Sequence, residues 1–343
     1  MANMMKALIF RGAGNVTVEE LPVPECNPDG VLVKIARAGI CGSDIHAYTR
    51  GGMAGGIMSD ESKFGHEFVG NIVEVGANVE GLSVGDRVWV DPGCCVPDPN
   101  LSCMAGGFAE YIATMTAVKD RDIFVLPDEV SFAEAVLIEP FAVGVHTKNR
   151  ARTSVSDKVL LYGAGPIGLM TYAALVNQGV ENVIVAEQLP SRIEKARSLG
   201  ADVFDNSNGA DVYAYAREKF GSFTSNAVEA ADIDVTLDCV GIGAILTTHI
   251  ENARYSSRFS TLGMDFSPMT LVPGFLMAKQ LEIMGSRCYD PADIVEVIDV
   301  LKNRKTDIGS IITGEFGFDQ ATEAFETACD RVKGLKVVFN IAD

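Results

Sequence analysis

Four residues in the first half of the chain have side chains that could together hold a catalytic metal ion. They are a cysteine, a histidine and two glutamates: Cys41, His66, Glu67 and Glu139. A catalytic zinc has three protein ligands, drawn from thiolate, imidazole and carboxylate groups, and keeps a fourth position for water or substrate. Each residue alone is uninformative, because a lone cysteine is usually buried and a lone His-Glu pair usually lies at a surface. Their order ahead of a nucleotide-binding segment favours a metal centre.

A glycine-rich loop supplies a second kind of chemistry, the binding of a dinucleotide. The run Gly-Ala-Gly-Pro-Ile-Gly at 163–168 has the GxGxxG spacing, follows a short apolar strand predicted at 158–162 and opens a predicted helix. Its glycines permit the tight turn, the approach of the backbone to the pyrophosphate and close helix packing, with the phosphates at the helix N-terminus. The candidate cofactor-binding residues of this loop are Gly163, Gly165, Pro166, Ile167 and Gly168.

The choice between NAD and NADP depends on the end of the next predicted strand. Glu187 stands there, where an acidic side chain binds the ribose 2′-hydroxyl of NAD. A carboxylate at this place repels the 2′-phosphate of NADP, so the sequence favours NAD. Arg192 lies close enough in the chain to keep NADP possible. Glu187 and Arg192 are therefore both candidate cofactor-binding residues.

The hydrophobic pattern changes character along the chain and predicts two domains. From about residue 6 to 128, short β-rich runs alternate with glycine and proline turns, which predicts a mostly β, barrel-like domain. From about residue 155, short apolar strands alternate with helices, which predicts a parallel sheet covered on both faces. A closing strand predicted at 336–340 could return to the first domain. We expect residues 1–142 and 288–343 to form one discontinuous domain and residues 143–287 the other.

Composition limits the partners of the protein. The 343 residues carry a formal net charge of −18, which argues against binding to nucleic acid or to an anionic membrane surface. The chain shows no signal-peptide pattern and no uncharged run long enough to span a membrane. Without an export signal, the 8 cysteines favour metal binding or burial over disulfides. These features predict a cytoplasmic protein with a small-molecule substrate.

Five short motifs together resemble the zinc-dependent medium-chain alcohol dehydrogenases, in particular the sorbitol, butanediol and threonine dehydrogenase branch. They are Cys-Gly-Ser-Asp at 41–44, Gly-His-Glu at 65–67, Gly-Gly-Phe-Ala-Glu-Tyr at 106–111, Ile-Glu-Pro at 138–140 and the loop at 163–168. The likeness covers nearly the whole chain. It implies an α/β protein in which a GroES-like, β-rich catalytic domain is joined to a Rossmann domain with a doubly wound parallel sheet. It also implies an active site in the cleft between them.

The resemblance assigns a role to each candidate residue of the metal centre. Cys41 and His66 match zinc ligands, and the remaining protein position is shared between Glu67 and Glu139, whose order stays open. Asp44 matches a residue that accepts a hydrogen bond from His66 and so fixes its tautomer.

Two further positions match the proton relay of the family. Ser43 would take the proton of the alcohol and pass it through the ribose hydroxyl of NAD to His46, whose reference pKa near neutrality suits the release to solvent. Glu67 and Glu139 complete the set of candidate catalytic residues.

The sequence departs from many family members in the segment that corresponds to a structural zinc lobe. Residues 91–104 contain Cys94, Cys95 and Cys103 rather than four spaced cysteines. A closed structural site needs four ligands, and adjacent cysteines chelate one metal poorly. We therefore expect one catalytic zinc per subunit and no structural zinc, and leave the role of these three cysteines open.

The combined features predict an enzyme that transfers hydride between a secondary alcohol and NAD, giving the ketone. A polyol or vicinal diol is the favoured substrate, and a threonine-type amino alcohol or a bulkier hydroxy compound such as a hydroxysteroid are alternatives. The metal ligand set argues against a zinc-free double-bond reductase, and the relay positions argue against a non-catalytic nucleotide-binding protein. The resemblance also implies a homodimer or homotetramer joined through the nucleotide-binding domains, at the strand predicted at 258–262 and the segment after it.

Overall fold

The structure is a computed structural model that describes residues 3–53, 56–57, 62–96, 105–225, 228–263 and 265–341. Its contacts divide the chain into two compact units. The first unit combines residues 1–140 with 309–343, and the second comprises residues 141–308. None of the helices that the structure describes is long and apolar enough to cross a membrane.

The N-terminal part of the first unit is mostly β. Its strands are β1 (Met4–Phe10), β2 (Val16–Pro22), β3 (Val31–Gly39), β4 (Gly52–Met53), β5 (Gly56–Ile57), β6 (Ser62–Lys63), β7 (Glu67–Val75), β8 (Arg87–Val90), β9 (Tyr111–Ala113) and β10 (Ile123–Val125). Its helices are α1 (Gly42–Arg50), α2 (Phe132–Ala135) and α3 (Ile138–Arg150), the last of which continues into the second unit.

The second unit alternates strands and helices. Its strands are β11 (Lys158–Tyr162), β12 (Asn182–Glu187), β13 (Asp202–Asp205), β14 (Ser222–Ser225), β15 (Val228–Ala231), β16 (Val235–Asp238), β17 (Arg258–Thr261) and β18 (Glu282–Gly285). Its helices are α4 (Pro166–Gln178), α5 (Pro190–Ser198), α6 (Val212–Phe220), α7 (Gly243–Asn252), α8 (Pro273–Lys279) and α9 (Pro291–Asn303). The chain then returns to the first unit with β19 (Ile312–Phe316), α10 (Ala321–Cys329) and β20 (Lys336–Asn340).

The main sheet of the first unit has the order β10-β8-β7-β3-β20-β19, and β9 adds to β3. The pairs are antiparallel except for β19 with β20. Four phenylalanines form the centre of its core: the ring of Phe64 lies 5.0 Å from Phe108 and 5.5 Å from Phe325, and Phe108 lies 5.3 Å from Phe339. Each such ring, when fully buried, contributes about 1.5–3 kcal/mol. The C-terminal segment thus supplies half of these rings.

The sheet of the second unit is parallel throughout, with the order β13-β12-β11-β16-β17-β18. The strand order reverses between β11 and β16, which is the doubly wound arrangement of dinucleotide-binding proteins. Strands β11 and β12 consist largely of buried apolar residues, as expected where helices cover both faces. Ligands of such sheets bind beyond the carboxyl ends of the strands at the reversal point.

The boundary between the units differs from the one that the sequence predicts. The prediction returns the chain to the first domain at residue 288, whereas in the structure helix α9 groups with the second unit and the return falls at residue 309. Side-chain hydrogen bonds explain the difference, because Asp293 of α9 bonds to His146 at 2.7 Å and to Asn149 at 2.8 Å. These long-range partners on α3 leave no signal in the local pattern.

A buried histidine in the second unit links the stability of this unit to pH. His249 on α7 is fully buried, its Nδ1 lies 3.1 Å from the Thr236 hydroxyl, and its ring packs 4.9 Å from Phe259. Burial, with a smaller contribution from the charge of Lys279, lowers the pKa of His249 to about 3. Between about pH 3 and pH 6.5 the ring is therefore neutral in the folded protein, whereas an exposed histidine would be charged.

We expect acid to destabilise the protein partly through His249. In the unfolded chain this histidine takes up a proton near its ordinary pKa of 6.5, but in the folded chain only near 3. Its contribution to stability is therefore complete above about pH 6.5 and falls as the pH drops towards 3, by about 5 kcal/mol over the whole range. Urea unfolding between pH 8 and 4 of the wild type and His249→Gln measures this contribution, because the other titrating groups cancel in the difference. If the free energy of unfolding varied with pH in the same way for the two proteins, the prediction would be contradicted.

Candidate functional site

Strand pairing brings the candidate metal ligands of the first unit together. Strand β3 ends at Gly39, two residues before Cys41, and β7 begins at Glu67. The antiparallel register places Gly39 directly opposite Glu67. Because the end of one strand thus meets the start of its neighbour, Cys41, His66 and Glu67 reach the same edge of the sheet although they are distant in sequence.

The ligand atoms of Cys41, His66 and Glu67 lie within 4.8 Å of one another. Cys41 and His66 are partly exposed, whereas Glu67 is buried. A soft thiolate, an imidazole and a carboxylate at this spacing form the donor set of a catalytic zinc, with three protein ligands and a partly accessible side. The residues present therefore fit the metal that the sequence predicts.

Helix α1 carries three of the candidate residues on one short segment after Cys41. Asp44 is fully buried, and its Oδ2 accepts a hydrogen bond from the Cys41 backbone N–H at 2.9 Å, which caps the helix. Ser43 presents a buried hydroxyl that has no hydrogen-bond partner among the described residues. The Nδ1 of His46 lies 3.0 Å from the carbonyl oxygen of Gly52.

Asp44 and His66 interact less directly than the resemblance implies. The Asp44 Oδ1 lies 3.9 Å from the His66 Nδ1, which is longer than a hydrogen bond. The imidazole hydrogen-bonds the side chain of Cys41 instead. Asp44 therefore acts on His66 through its charge at short range and on Cys41 through the backbone.

Burial and neighbouring charges shift the pKa values of several groups at this site. Burial raises the pKa of Asp44 to about 6 and that of Glu139 to about 7, and His66 partly opposes both shifts. For His66, burial lowers the pKa, but the charges of Cys41 and Asp44 outweigh this and raise it well above its ordinary value. Binding of a metal ion to such groups displaces protons, so metal affinity depends on pH.

Glu139 lies near this group but outside the triplet of ligand atoms. It is buried near the start of α3, and the charges of His66, Glu67 and Lys336 all act on it. The structure thus brings both glutamates to the metal centre and groups only Glu67 with Cys41 and His66.

Lys336 is a residue of the site that the sequence reasoning missed. It lies on β20, is buried, and its ammonium group forms an ion pair with Oε2 of Glu67. The same Nζ donates a hydrogen bond to the carbonyl oxygen of Ile40 at 3.0 Å. A lysine at the start of the apolar run Lys-Val-Val-Phe was the available signal, since a charged residue in a buried strand needs a partner.

The glycine loop of the second unit has the geometry of a dinucleotide site. Gly163 follows β11 with a φ of +93°, a left-handed conformation that favours glycine, and Gly165 is the N-cap of α4. A Cβ on Gly168 would collide with the carbonyl oxygen of Gly163, so the helix and the strand approach as closely as they do only with glycine at 168. Pro166 and Ile167 begin the first turn of α4. Pro166 has no N–H to offer and fixes the helical φ, so the N–H groups of Ile167 and Gly168 are the donors that this helix start can offer to a phosphate.

Glu187 and Arg192 both lie against this loop. One carboxylate oxygen of Glu187 accepts a hydrogen bond from the Ala164 N–H at 2.8 Å, and the other accepts from the Gln188 and Leu189 N–H groups at 2.7 and 3.0 Å. The backbone thus fixes a negative charge at the end of β12. The guanidinium of Arg192 covers Gly165, where an added Cβ would lie 3.3 Å from Nη1.

Two pockets open at the carboxyl edge of the parallel sheet. One is lined by residues that include Tyr162, Gln188, Asn206, Tyr213 and Thr248. The other is lined by residues that include Asp238, Gly241, Ile242, Thr261 and Gly263. Their position on both sides of the reversal point is the one expected for the two halves of a dinucleotide.

The cysteines of the segment at 91–104 are only partly described. Cys94 and Cys95 are buried and free, and Cys103 lies outside the described residues. The expectation that this segment holds no structural zinc therefore stays a prediction.

Comparison with known proteins gives the family of the chain. Residues 27–128 match the model of the alcohol dehydrogenase GroES-like domain, and residues 166–303 match that of the zinc-binding dehydrogenases. Sorbitol dehydrogenase of Bos taurus is 31% identical, with 97% of this chain and 95% of the relative covered. Sorbitol dehydrogenase of Bacillus subtilis is 30% identical, with 94% and 93% covered.

Solved structures agree with this assignment. The crystal structure of 2R,3R-butanediol dehydrogenase from Bacillus subtilis has a TM-score of 0.83 and 27% identity, and 98% of this chain and 99% of that chain are covered. An alcohol dehydrogenase from E. coli CFT073, complexed with NADH, also has a TM-score of 0.83, with 28% identity and coverage of 99% and 100%.

The fold and the site define an α/β oxidoreductase with a GroES-like domain and a Rossmann domain, which confirms the predicted fold class. The chain belongs to the zinc-dependent medium-chain alcohol dehydrogenase family, as its motifs indicate.

We expect Asp44 to be needed for tight metal binding. Replacing it by alanine removes both the cap on Cys41 and the charge beside His66, so we expect Asp44→Ala to lower zinc affinity by about 10- to 100-fold. Asp44→Asn keeps an acceptor for the Cys41 N–H and should lose less. Competition with a chromogenic chelator measures the three affinities. An alanine variant that binds zinc as tightly as the wild type would show that Asp44 has no part in the metal centre.

Proposed function

We propose that this protein oxidises a secondary alcohol, with a polyol or vicinal diol favoured, to the ketone and transfers the hydride to NAD in a zinc-dependent reaction. The observation that carries the proposal is the convergence of Cys41, His66 and Glu67 in a chain of the zinc-binding dehydrogenase family. Relatives named sorbitol dehydrogenase, D-xylulose reductase and butanediol dehydrogenase support a substrate with neighbouring hydroxyl groups.

Cys41, His66 and Glu67 are the proposed zinc ligands, and Glu139 is the proposed neighbour that balances charge without direct coordination. The grouping of Glu67, rather than Glu139, with Cys41 and His66 supports this order. Zinc bound there supplies a Lewis acid, which lowers the pKa of an alcohol that it coordinates. The negative side chains of the site would hold the cation, and the partly exposed Cys41 and His66 would leave it accessible to substrate.

Ser43 and His46 are proposed to carry the proton of the alcohol away. The Ser43 hydroxyl is buried and has no partner among the described residues, so it is available to the substrate. The Nδ1 of His46 faces the Gly52 carbonyl, which can only accept, so Nδ1 carries the proton of the neutral ring. The Nε2 of His46 is then the basic nitrogen and can receive the transferred proton.

NAD is the proposed cofactor, bound at the loop of Gly163, Gly165, Pro166, Ile167 and Gly168. The carboxylate of Glu187 is fixed by the N–H group of Ala164 in this loop and by two N–H groups directly after β12. It supports NAD because it would repel a 2′-phosphate. The guanidinium of Arg192 over Gly165 offers a positive charge to a phosphate and keeps NADP as the alternative. A reducing compartment such as the cytoplasm is proposed as well, since the described cysteines are all free.

A homo-oligomer that forms through the second unit is also proposed. The sequence predicts the contact at the strand at 258–262 and the segment after it. Of the strands in this region, β17 lies inside the sheet and β18 is the edge strand. The segment that leads into β18 and the strand itself carry exposed apolar side chains: Phe266, Leu271, Val272, Phe275, Met277 and Ile283. An open strand edge with a large apolar surface is typical of a contact with another subunit.

The central test is NADH formation with a panel of secondary alcohols: sorbitol, 2,3-butanediol, threonine and a hydroxysteroid, each with NAD and with NADP. We expect activity with the polyol or diol, a preference for NAD, loss of activity on chelation and its return with zinc. Cys41→Ser should abolish both zinc binding and turnover. His46→Gln should keep zinc and lower turnover, since only proton transfer is affected. Full activity in protein freed of zinc would refute the metal mechanism.

The oligomer proposal predicts that charges at the β18 edge dissociate the assembly. Met277 is 76% exposed, and Met277→Asp combined with Phe266→Asp should lower the mass measured by sedimentation equilibrium to that of one chain. Val332→Asp is the matched control, because Val332 is similarly exposed at 67% but belongs to the first unit. An unchanged mass for the double variant would place the subunit contact elsewhere.

A further inference from the structure

We propose that Lys336 is a positioning residue of the metal centre, which holds one carboxylate oxygen of Glu67 so that this ligand gives the metal one oxygen rather than two. The fourth coordination position of the metal then remains open to the substrate. The inference rests on the proposed zinc site of Cys41, His66 and Glu67.

The two partners of this ion pair are among the most buried charged groups of the first unit. Lys336 is 3% exposed and Glu67 is 1% exposed. The Nζ of Lys336 contacts Oε2 of Glu67 and donates to the carbonyl oxygen of Ile40, the residue before Cys41. One ammonium group therefore restrains both segments that carry metal ligands. Charge-assisted hydrogen bonds of this kind are the strong ones in proteins.

The backbone is crowded against this pair at Gly39. Strand β20 pairs with β3 so that Val338 lies opposite Gly39, and the Ile40 N–H donates to the Val337 carbonyl at 2.9 Å. A Cβ on Gly39 would collide with Oε2 of Glu67 and come within 3.1 Å of Lys336 Cε. Gly39 is thus needed for space at the point where Glu67 and Lys336 meet.

A count of ligand atoms gives the consequence of the ion pair. A thiolate and an imidazole supply one ligand atom each, and a carboxylate can supply one or two. With both oxygens of Glu67 on the metal, the protein would fill all four positions of a tetrahedral zinc, as in a closed structural site. Because Lys336 holds Oε2, Oε1 is the oxygen left for the metal, and the protein fills three positions.

The test compares Lys336→Met with the control Lys336→Arg, which keeps the positive charge and the donors. Each protein is loaded with Co²⁺ in place of zinc and titrated with imidazole, a neutral ligand for the open position, while the visible absorption is recorded. We expect the wild type and Lys336→Arg to bind imidazole, and Lys336→Met to bind it at least about tenfold more weakly with an altered spectrum before any addition. Zinc should dissociate from Lys336→Met no faster than from the wild type, because in this variant the carboxylate of Glu67 is expected to bind the metal with both oxygens.

A purely structural role of Lys336 predicts the opposite result. In that case Lys336→Met would release zinc faster and would bind imidazole as the wild type does, which would overturn the inference.

A second pair of variants tests the same point without removing a charge. Gly39→Ala inserts a methyl group between Glu67 and Lys336, and we expect it to weaken imidazole binding as Lys336→Met does. Gly42→Ala is the control, since a Cβ at Gly42 meets nothing within 4 Å. Gly39→Ala carries the test if Lys336→Met does not fold.

The outcome also separates this inference from the proposed function. The proposed zinc site predicts that the cobalt-loaded wild type shows a thiolate-to-cobalt absorption band and that Cys41→Ser lacks it. If the wild type shows no such band, the proposed zinc site and the inference are both refuted. A normal cobalt centre in the wild type, with unchanged imidazole binding in Lys336→Met and Gly39→Ala, would overturn the inference alone.

Discussion

The metal centre depends on one constraint, the register of three antiparallel strands. Gly39 at the end of β3 lies opposite Glu67 of β7 on one side and opposite Val338 of β20 on the other. This register sets Cys41 beside His66 and Glu67, and it brings Lys336 into contact with Glu67. A shift by one residue would turn Glu67 to the other face of the sheet, because side chains alternate along a strand. The assembly of the site is therefore inseparable from the pairing of the C-terminal strand with the N-terminal part of the chain.

The features that local sequence determines were predictable. The loop at 163–168 needs glycines for reasons confined to one turn, and the positive φ of Gly163 and the tight packing at Gly168 satisfy them. The buried strands of the parallel sheet are short apolar runs between helices, so their existence and type follow from the pattern. Residue types and motifs named the candidate metal ligands, and the family comparison agrees with the motifs. That these residues bind the metal stays a prediction.

The features that long-range contacts determine were not predictable. Nothing near Lys336 in the sequence indicates that it pairs with Glu67, since the two strands meet only in the folded protein. The place of α9 depends on hydrogen bonds from Asp293 to α3, and the edge position of β18 depends on the order of the whole sheet. Which of Glu67 and Glu139 is the better placed to bind the metal likewise depends on how close each carboxylate comes to Cys41 and His66 in the folded protein. Motifs name the groups that can act, and strand register decides which of them meet.

The most direct measurement of the central claim is an anomalous difference map recorded at the zinc edge on crystals of the purified protein. The account predicts a strong peak within bonding distance of the Cys41 Sγ, a ring nitrogen of His66 and one oxygen of Glu67. A crystal of zinc-loaded protein with no peak at these residues would contradict it. So would a peak bound by Glu139 in place of Glu67.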